Sequence, residues 1–312
     1  MQPPAPTSPP EEIPPPLPSR DEHPLSGIRL RIVAMIFLAA MFALGKVISA
    51  RGVALGELLF YRQALALPLI LAWVAMTDGL VSVRTNRLGV HVSRTALGLT
   101  GMALNFGSYL LLPLTEATAI GFTMPIFATL LSALILREST GPHRWAAILL
   151  GFVGIIVMIR PDSAHFPPLG LAVAITAAVL TACISLILRD LGRTEKPGVI
   201  VFWFTILSLP PLGLAMLFVG KAHDPLTWAL LAALGLTGGI GQLCMTGALS
   251  RAPISVVLPM DYSMIIWSTL LGALIWGEWP IPTTWIGAIF IIVSGLYIAW
   301  REHVRTRRSA LA

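Results

Sequence analysis

The sequence predicts an all-α polytopic membrane protein in which ten transmembrane helices form two inverted repeats of five helices each. Three observations lead to this prediction. The 312-residue chain is 56% hydrophobic and only 12% charged, it contains successive apolar segments of membrane-spanning length, and its two halves repeat each other. An ordinary soluble domain has about 25% charged residues, so this chain has too little polar surface to cover a water-soluble body.

The charge and cysteine patterns exclude several other classes of protein. The net charge is +6, but Lys and Arg lie between hydrophobic segments instead of clustering on one face, as they do in nucleic-acid-binding proteins. The two cysteines, Cys183 and Cys244, lie inside apolar segments and have neither a disulfide pattern nor metal-ligand spacing. We therefore expect no nucleic-acid partner, no metal and no cofactor.

The internal repeat is clearest in the tetrapeptide Gly-Leu-Thr-Gly, which occurs at residues 98–101 and again at residues 235–238, 137 positions later. Asn105 and Gln242 follow the two copies at the same offset. Three further pairs recur 140 to 142 positions apart: Glu138 with Glu278, Trp145 with Trp285 and Pro68 with Pro210. A repeated unit of this kind decides the architecture before any single element does, and its small residues predict close helix packing.

Apolar segments follow one another from residue 30 onward, each near the length of about 20 residues that a helix needs to cross a bilayer. The ten predicted spans are residues 30–49, 57–76, 89–111, 116–136, 143–160, 168–188, 198–219, 226–249, 253–277 and 282–300. Three of the connections between them are only three or four residues long, which leaves no room for a soluble domain.

Four regions follow from these segments. Residues 1–27 contain ten of the 25 prolines and are too polar to bury a core, so they are expected to be a disordered cytoplasmic tail and not a signal peptide. Residues 28–160 form the first repeat, residues 167–300 the second, and residues 301–312 a basic cytoplasmic tail.

The basic residues predict the orientation of the chain. With the N-terminus in the cytoplasm, 16 Lys and Arg residues fall on the inner side, Arg31 and Arg94 among them, and three on the outer side. Both termini are therefore expected in the cytoplasm. Because five is an odd number of crossings, the second repeat must be inverted relative to the first, a construction typical of secondary transporters.

Several motifs resemble those of a known superfamily. They are Phe-Tyr-Arg at residues 60–62, the segment at residues 117–127, Arg-Trp at residues 144–145, Pro-Met-Asp-Tyr at residues 259–262 and Gly-Glu at residues 277–278. Over residues 28–302 the chain resembles the drug/metabolite transporter superfamily, EamA type, and especially the branch of S-adenosylmethionine uptake transporters. One departure is Arg137 before Glu138, where the family more often has Gly-Glu.

The resemblance implies a transporter without enzymatic activity that moves a small polar metabolite across the bacterial inner membrane by alternating access. S-adenosylmethionine uptake is the first expectation, with riboflavin uptake or export of amino acids or metabolites as alternatives. Coupling to protons or to a counter-substrate is expected, and the protein is either a monomer or a homodimer.

Ionisable residues inside a membrane are costly and are functional candidates. Lys46 lies in the outer third of the first span, and Arg62 lies about one and a half turns into the second. Each either extends to the membrane surface or serves the substrate, for which the Arg62 guanidinium could hold a carboxylate or phosphate. Asp261, eight residues into the ninth span, is too short to reach water. It is expected to pair with Lys46 or Arg62, to carry a proton or to face a cationic group of the substrate, and Tyr262 beside it offers a hydroxyl and a ring.

Three uncharged polar residues are further candidates. Asn105 and Gln242 either bond neighbouring helices, as most amides in membrane helices do, or contact the substrate, and Tyr109 lies one turn from Asn105.

Gate or structural roles are expected for Glu138 and Glu278 at the ends of the fourth and ninth spans. The prolines that recur in both halves serve either as hinges or in helix packing: Pro68, Pro210, Pro125 and Pro259.

Two other functional classes receive little support from the sequence. An ATP-driven pump would need a phosphate-binding Gly-rich loop, and the G-x-x-x-x-G-K-[ST] pattern does not occur. A membrane-embedded enzyme would need clustered catalytic residues, whereas the six histidines are scattered through the tail and loops. A channel is the remaining alternative of a different class.

Overall fold

The computed structural model describes residues 24–77, 79–135, 142–159, 167–192, 194–252 and 254–311, and throughout these ranges the regular structure is helical. The helices are α1 (Pro24–Ala50), α2 (Leu55–Thr77), α3 (Leu88–Leu111), α4 (Leu114–Gly121), α5 (Met124–Ile135), α6 (Pro142–Ile159), α7 (Pro168–Leu191), α8 (Pro197–Val219), α9 (Pro225–Arg251), α10 (Ile254–Val257), α11 (Met264–Trp276) and α12 (Pro282–Leu311). Short 3₁₀ segments cover Leu80–Val83 and Leu258–Ser263.

Each predicted span coincides with helical structure, which confirms the all-α prediction. Seven of the helical segments in the described ranges are long and apolar enough to cross a membrane, and Trp145–Met158 within α6 is a shorter apolar helix. The finding of several such helices makes this a polytopic membrane protein. The count of ten crossings stays a prediction.

The two ends of the chain differ in detail from the predicted boundaries. Helix α1 begins at Pro24, four residues inside the predicted tail, because proline is well suited to the first turn of a helix. Helix α12 continues to Leu311 through the predicted basic tail, which is rich in Arg, a good helix former. Residues 1–23 lie outside the described residues.

Two of the predicted spans are interrupted. The fourth consists of α4 and α5, separated by residues 122–123, and the ninth consists of α10, the 3₁₀ segment and α11. Pro125 and Pro259 are the second residues of the segments that follow these breaks, where a missing N–H costs least. Pro68 and Pro210 instead lie inside α2 and α8. Both pairs of repeat-related prolines therefore occupy equivalent places in the two halves.

The two halves pack on each other through corresponding helices. Helix α1 packs against α9 and α7 packs against α3, while α2 packs against α8 and α6 against α12. Each of the four glycines of the repeated tetrapeptide lies at a contact between helices of the two halves, where an added Cβ would come within 3 Å of a neighbour: Phe204 for Gly98, Ile184 for Gly101, Leu65 for Gly235 and Met41 for Gly238. Only glycine permits so close an approach, so the prediction of tight helix packing is confirmed.

Candidate functional site

The first candidate site lies where α1 meets the ninth span. Arg31 near the start of α1 binds Asp261 in the 3₁₀ segment with two donors. Its Nη2 lies 2.6 Å from Oδ2 and its Nε donates to Oδ1. The Arg31 side chain is only 7% exposed. A bidentate guanidinium–carboxylate pair is among the strongest polar contacts available, and burial makes it costly to break from one side.

A second ion pair joins the other end of α1 to the same span. The Lys46 ammonium lies 3.2 and 3.3 Å from the two carboxylate oxygens of Glu278 and donates to the carbonyl of Leu112 at 3.2 Å. It also lies 4.9 Å from the ring centroid of Trp276, a cation–π distance. The Glu278 side chain is 34% exposed, so this pair is more accessible to water than the first.

These two pairs correct one of the three roles considered for Asp261. Its counter-ion is Arg31 and not Lys46 or Arg62, whereas the roles of proton carrier and of partner for a substrate cation stay predictions. Arg31 and Lys46 are 15 residues apart, which is about 22 Å along a helix, and the 3₁₀ segment packs on α1. Lys46 is therefore too far along α1 to reach Asp261 and binds Glu278 instead.

An aromatic region lies between the two ion pairs. Phe42 of α1 stacks on Tyr109 of α3 with a centroid distance of 4.0 Å, and the Tyr109 hydroxyl lies 3.2 Å from the Thr118 hydroxyl. Trp267 packs against the same cluster, and its buried indole N–H has no hydrogen-bond partner, nor has the nearby Ser263 hydroxyl. Unsatisfied buried polar groups are unusual in a packed core, so the Trp267 N–H and the Ser263 hydroxyl can serve a ligand.

Tyr262 and Asn105 have partners within the protein. The Tyr262 ring meets Phe122 edge to face at 4.9 Å. The Asn105 amide donates to the carbonyl of Gly101 at 2.9 Å and to the Thr181 hydroxyl of α7 at 3.2 Å. Of the two interpretations considered for Asn105, these contacts favour a bond between neighbouring helices.

Arg62 and Gln242 lie in a different place. They line a small cleft between α2, α8 and α9, together with Gln63. Arg62 donates to the Gln63 side-chain carbonyl and approaches the Met102 sulfur at 3.3 Å. Nearby, the Arg94 guanidinium lies 3.8 Å from the ring centroid of Phe204, whose side chain also lines the cleft. The structure therefore separates Arg62 from Asp261 and brings it near Arg94.

Arg31 and Arg94 are the residues that sequence reasoning missed. Both were counted with the cytoplasmic charges, although each falls inside a predicted span, at residues 30–49 and 89–111. Their position inside predicted spans was the signal that could have identified them as site candidates. Glu138, a predicted gate residue, lies outside the described residues.

Further polar contacts between the two halves lie near the ends of α2 and α8, mostly on neighbouring loops and helices. At one end Arg51 binds Asp224 at 2.9 Å and the buried Glu57 lies 2.6 Å from His223. Hydrogen bonds from Thr227 and then Arg51 lower the pKa of Asp224 to about 2. At the other end the equivalent pairs are Arg87 with Asp190 at 2.5 Å, and His91 with Glu195 at 3.9 Å. Each end therefore has one close Arg–Asp pair, whereas the His–Glu pair is hydrogen-bonded only at the first end.

Comparisons with known proteins agree with this architecture. The profile of the EamA-like transporter family matches residues 25–160 and again residues 168–300. A riboflavin transporter of Vibrio cholerae is 28% identical over 289 residues, covering 92% of this chain and 97% of that protein. An S-adenosylmethionine uptake transporter of Rickettsia prowazekii is 28% identical over 244 residues, covering 78% and 81%.

The fold has also been seen in a solved structure. One crystal structure matches over 90% of this chain and 99% of the solved chain, with a TM-score of 0.59 and 20% sequence identity. The twofold family match spans most of the chain. This protein therefore belongs to the EamA-like transporters of the drug/metabolite transporter superfamily and is a multi-pass bacterial membrane transporter, not an enzyme.

Proposed function

We propose that this transporter is a secondary carrier that moves a small metabolite with a flat heteroaromatic ring by alternating access. The observation that carries the proposal is the pair of ionic contacts that join α1 to the ninth span at both ends of an aromatic region. A substrate held in that region is closed off from both sides of the membrane while Arg31–Asp261 and Lys46–Glu278 are intact.

Alternating access follows if the two pairs open in turn. When one ion pair opens, water solvates its two charges in place of the lost contact. The pair at the other end of α1 stays closed and prevents leakage across the membrane. Rocking of one repeat against the other around a central site is the recurring mechanism of carriers built from inverted repeats. The twofold family match and the pairing of corresponding helices support such an arrangement. We extend the proposal to ten crossings in the inner membrane with both termini in the cytoplasm.

S-adenosylmethionine is the first candidate substrate. Its adenine ring suits the stacked pair of Phe42 and Tyr109, and its cationic groups complement the Asp261 carboxylate. When Arg31 and Asp261 separate, the Asp261 carboxylate can face the ammonium or sulfonium group of the substrate. The relative from Rickettsia prowazekii is named for this substrate.

Riboflavin is the second candidate. Its ring system is flat and carries no fixed charge, so it would use the rings and the free Trp267 and Ser263 donors without exchanging the ion pair. The relative from Vibrio cholerae is named for riboflavin. The two candidates therefore differ in how much they depend on Asp261.

Counterflow in proteoliposomes tests the proposal. Vesicles preloaded with unlabelled S-adenosylmethionine or riboflavin receive a labelled tracer of the same compound outside. A carrier shows transient accumulation of tracer above its equilibrium level. Tracer entry that is independent of the preloaded compound would indicate a channel and would contradict the proposal.

The effect of Asp261→Asn on counterflow distinguishes the two candidate substrates. With S-adenosylmethionine as substrate we expect loss of counterflow, since the cationic groups of the substrate lose the Asp261 carboxylate. With riboflavin the effect should be smaller. Asp224→Asn is the matched control, because it removes an equivalent carboxylate from an exposed pair at the end of the bundle and should leave transport of either compound unchanged.

A further inference from the structure

Two partly buried cations, each with at least one buried nitrogen atom, converge on one cleft away from the aromatic region. We call this the dicationic cleft and define it by Arg62, Arg94, Gln63, Phe204 and Gln242. Arg62, Gln63, Phe204 and Gln242 line the cavity itself, and the Arg94 guanidinium stacks on the Phe204 ring. Both arginines are therefore placed around Phe204.

The dicationic cleft contains several donors without acceptors. Buried atoms that make no hydrogen bond include Nε of Arg62, Nε and Nη1 of Arg94, and the side-chain nitrogen of Gln63, a residue that is only 1% exposed. Within the described ranges neither arginine has a carboxylate within 4 Å. Buried donors of this kind are normally satisfied, so their grouping indicates that a partner is missing.

The missing partner must be an anion. A buried cation is unfavourable unless a counter-charge offsets the loss of hydration, and two adjacent cations increase that cost. An anion with several oxygen atoms accepts from the guanidinium fork in two places and can take the free Gln63 donor as well. Gly238 leaves room beside Arg62, because a Cβ there would lie 3.4 Å from Nε and 3.5 Å from Cγ.

We propose that the dicationic cleft binds a carboxylate or phosphate group during transport. This deepens the proposed function and rests on it, since the anion is either the acidic group of the transported metabolite or a separate anion that travels with it. Met102, which contacts Arg62, packs in the same apolar cluster as Phe106, and Phe106 lies 4.9 Å from Phe42 in the aromatic region. An acidic arm of a substrate in that region is thus only a few side chains from the cleft.

Anion-dependent stability of the purified full-length protein tests binding without any knowledge of the substrate. Thermal unfolding in detergent is followed as inorganic phosphate or acetate is added at constant ionic strength. We expect the unfolding temperature of the wild type to rise and saturate. Arg62→Gln and Arg94→Gln should each weaken the apparent affinity at least about tenfold, as loss of a buried charged partner does.

Two further variants keep this test decisive. Arg87→Gln is the matched control, because it removes a guanidinium from an exposed pair at the bundle end and should respond to phosphate as the wild type does. Gln63→Leu removes the free amide without changing charge and covers the case in which Arg62→Gln fails to fold; it should weaken binding more modestly. The proposal is overturned if phosphate stabilises none of the proteins, or stabilises the cleft variants as much as the wild type.

The source of the anion is decided by transport. Counterflow of S-adenosylmethionine is compared with that of its decarboxylated analogue, which keeps the adenine and the sulfonium but lacks the carboxylate. If the anion is the substrate's own group, Arg62→Gln slows only the carboxylated compound. If a separate anion is carried, Arg62→Gln slows both compounds equally, and wild-type transport of both depends on added phosphate or acetate. Absence of counterflow for either compound in the wild type would reject the proposed substrate while leaving the binding result intact.

Discussion

The cations inside the helical bundle fall into two groups that the protein treats differently. Arg31 and Lys46 on α1 each meet a carboxylate from the ninth span, whereas Arg62 on α2 and Arg94 on α3 meet only neutral groups among the described residues. A charge that is satisfied within the protein holds two helices together. A charge that is left unsatisfied is available to a ligand, so the first group is expected to control conformation and the second to recognise an anion.

The largest effect should come from breaking the buried Arg31–Asp261 pair from one side. Asp261→Asn leaves the Arg31 guanidinium without its counter-charge, and we expect a loss of about 3 kcal/mol in the free energy of unfolding. Chemical unfolding in detergent measures it. The double variant Arg31→Gln/Asp261→Asn should recover part of this loss, because it removes the uncompensated charge. Additive costs of the two single changes would contradict the assignment of a coupled pair.

The Lys46–Glu278 pair should matter less to stability. Glu278 is about one-third exposed, so water can replace its partner, and Glu278→Gln should cost about 1 kcal/mol. The same unfolding assay applies. If Glu278→Gln costs as much as Asp261→Asn or more, burial does not determine how strongly each ion pair stabilises the protein, and the account is contradicted.

Asn105 tests whether an amide at a repeat-related position serves packing. Asn105→Ala removes the bond to Thr181 on α7 and should cost about 0.6 kcal/mol, the average for such bonds in membranes, with counterflow kinetics unchanged. Thr181→Val, which removes the other partner of the same bond, should behave alike. A changed Michaelis constant for the substrate in Asn105→Ala but not in Thr181→Val would instead indicate substrate contact.

The smallest effect is expected at the exposed Arg51–Asp224 pair. The folded-state pKa of Asp224 is about 2, below its ordinary value of 3.8, because Thr227 and Arg51 stabilise the carboxylate. Its contribution to stability is therefore fully present above about pH 4 and disappears as the pH falls through about 2. The difference in unfolding temperature between wild type and Asp224→Asn should be small at pH 7 and vanish near pH 2. A difference that grows with acidification would contradict this sign.

The sequence predicts the helices, the repeat and the presence of costly charges, because hydropathy and spacing are local properties of the chain. It does not predict which charges meet. Arg31 and Asp261 are 230 residues apart, and their contact depends on how α1 packs against the ninth span. Lys46 and Asp261 were recognised as candidates, but their partners could be assigned only from that packing.

The sequence also locates poorly the point at which each helix enters the membrane. Arg31 and Arg94 lie within two turns of the start of their helices, where hydropathy alone cannot distinguish a charge in the loop from a charge folded back into the bundle. Side-chain burial makes the distinction: the Arg31 side chain is 7% exposed, and Arg94 has two nitrogen atoms that are buried without partners. A basic residue inside a predicted span is therefore better kept as a site candidate than counted as a topology signal.

The most direct test of alternating access is to tie the Lys46–Glu278 end of α1 to the ninth span, because this pair can be replaced without removing Asp261. In a protein whose two free cysteines, Cys183 and Cys244, are replaced by alanine, Lys46→Cys/Glu278→Cys places a reactive pair at this end. The two corresponding single-cysteine proteins are the controls. We predict that a short bis-maleimide abolishes counterflow in the double variant and in neither control. Undiminished counterflow in a fully cross-linked double variant would contradict the account, because the end that must open would then be permanently closed.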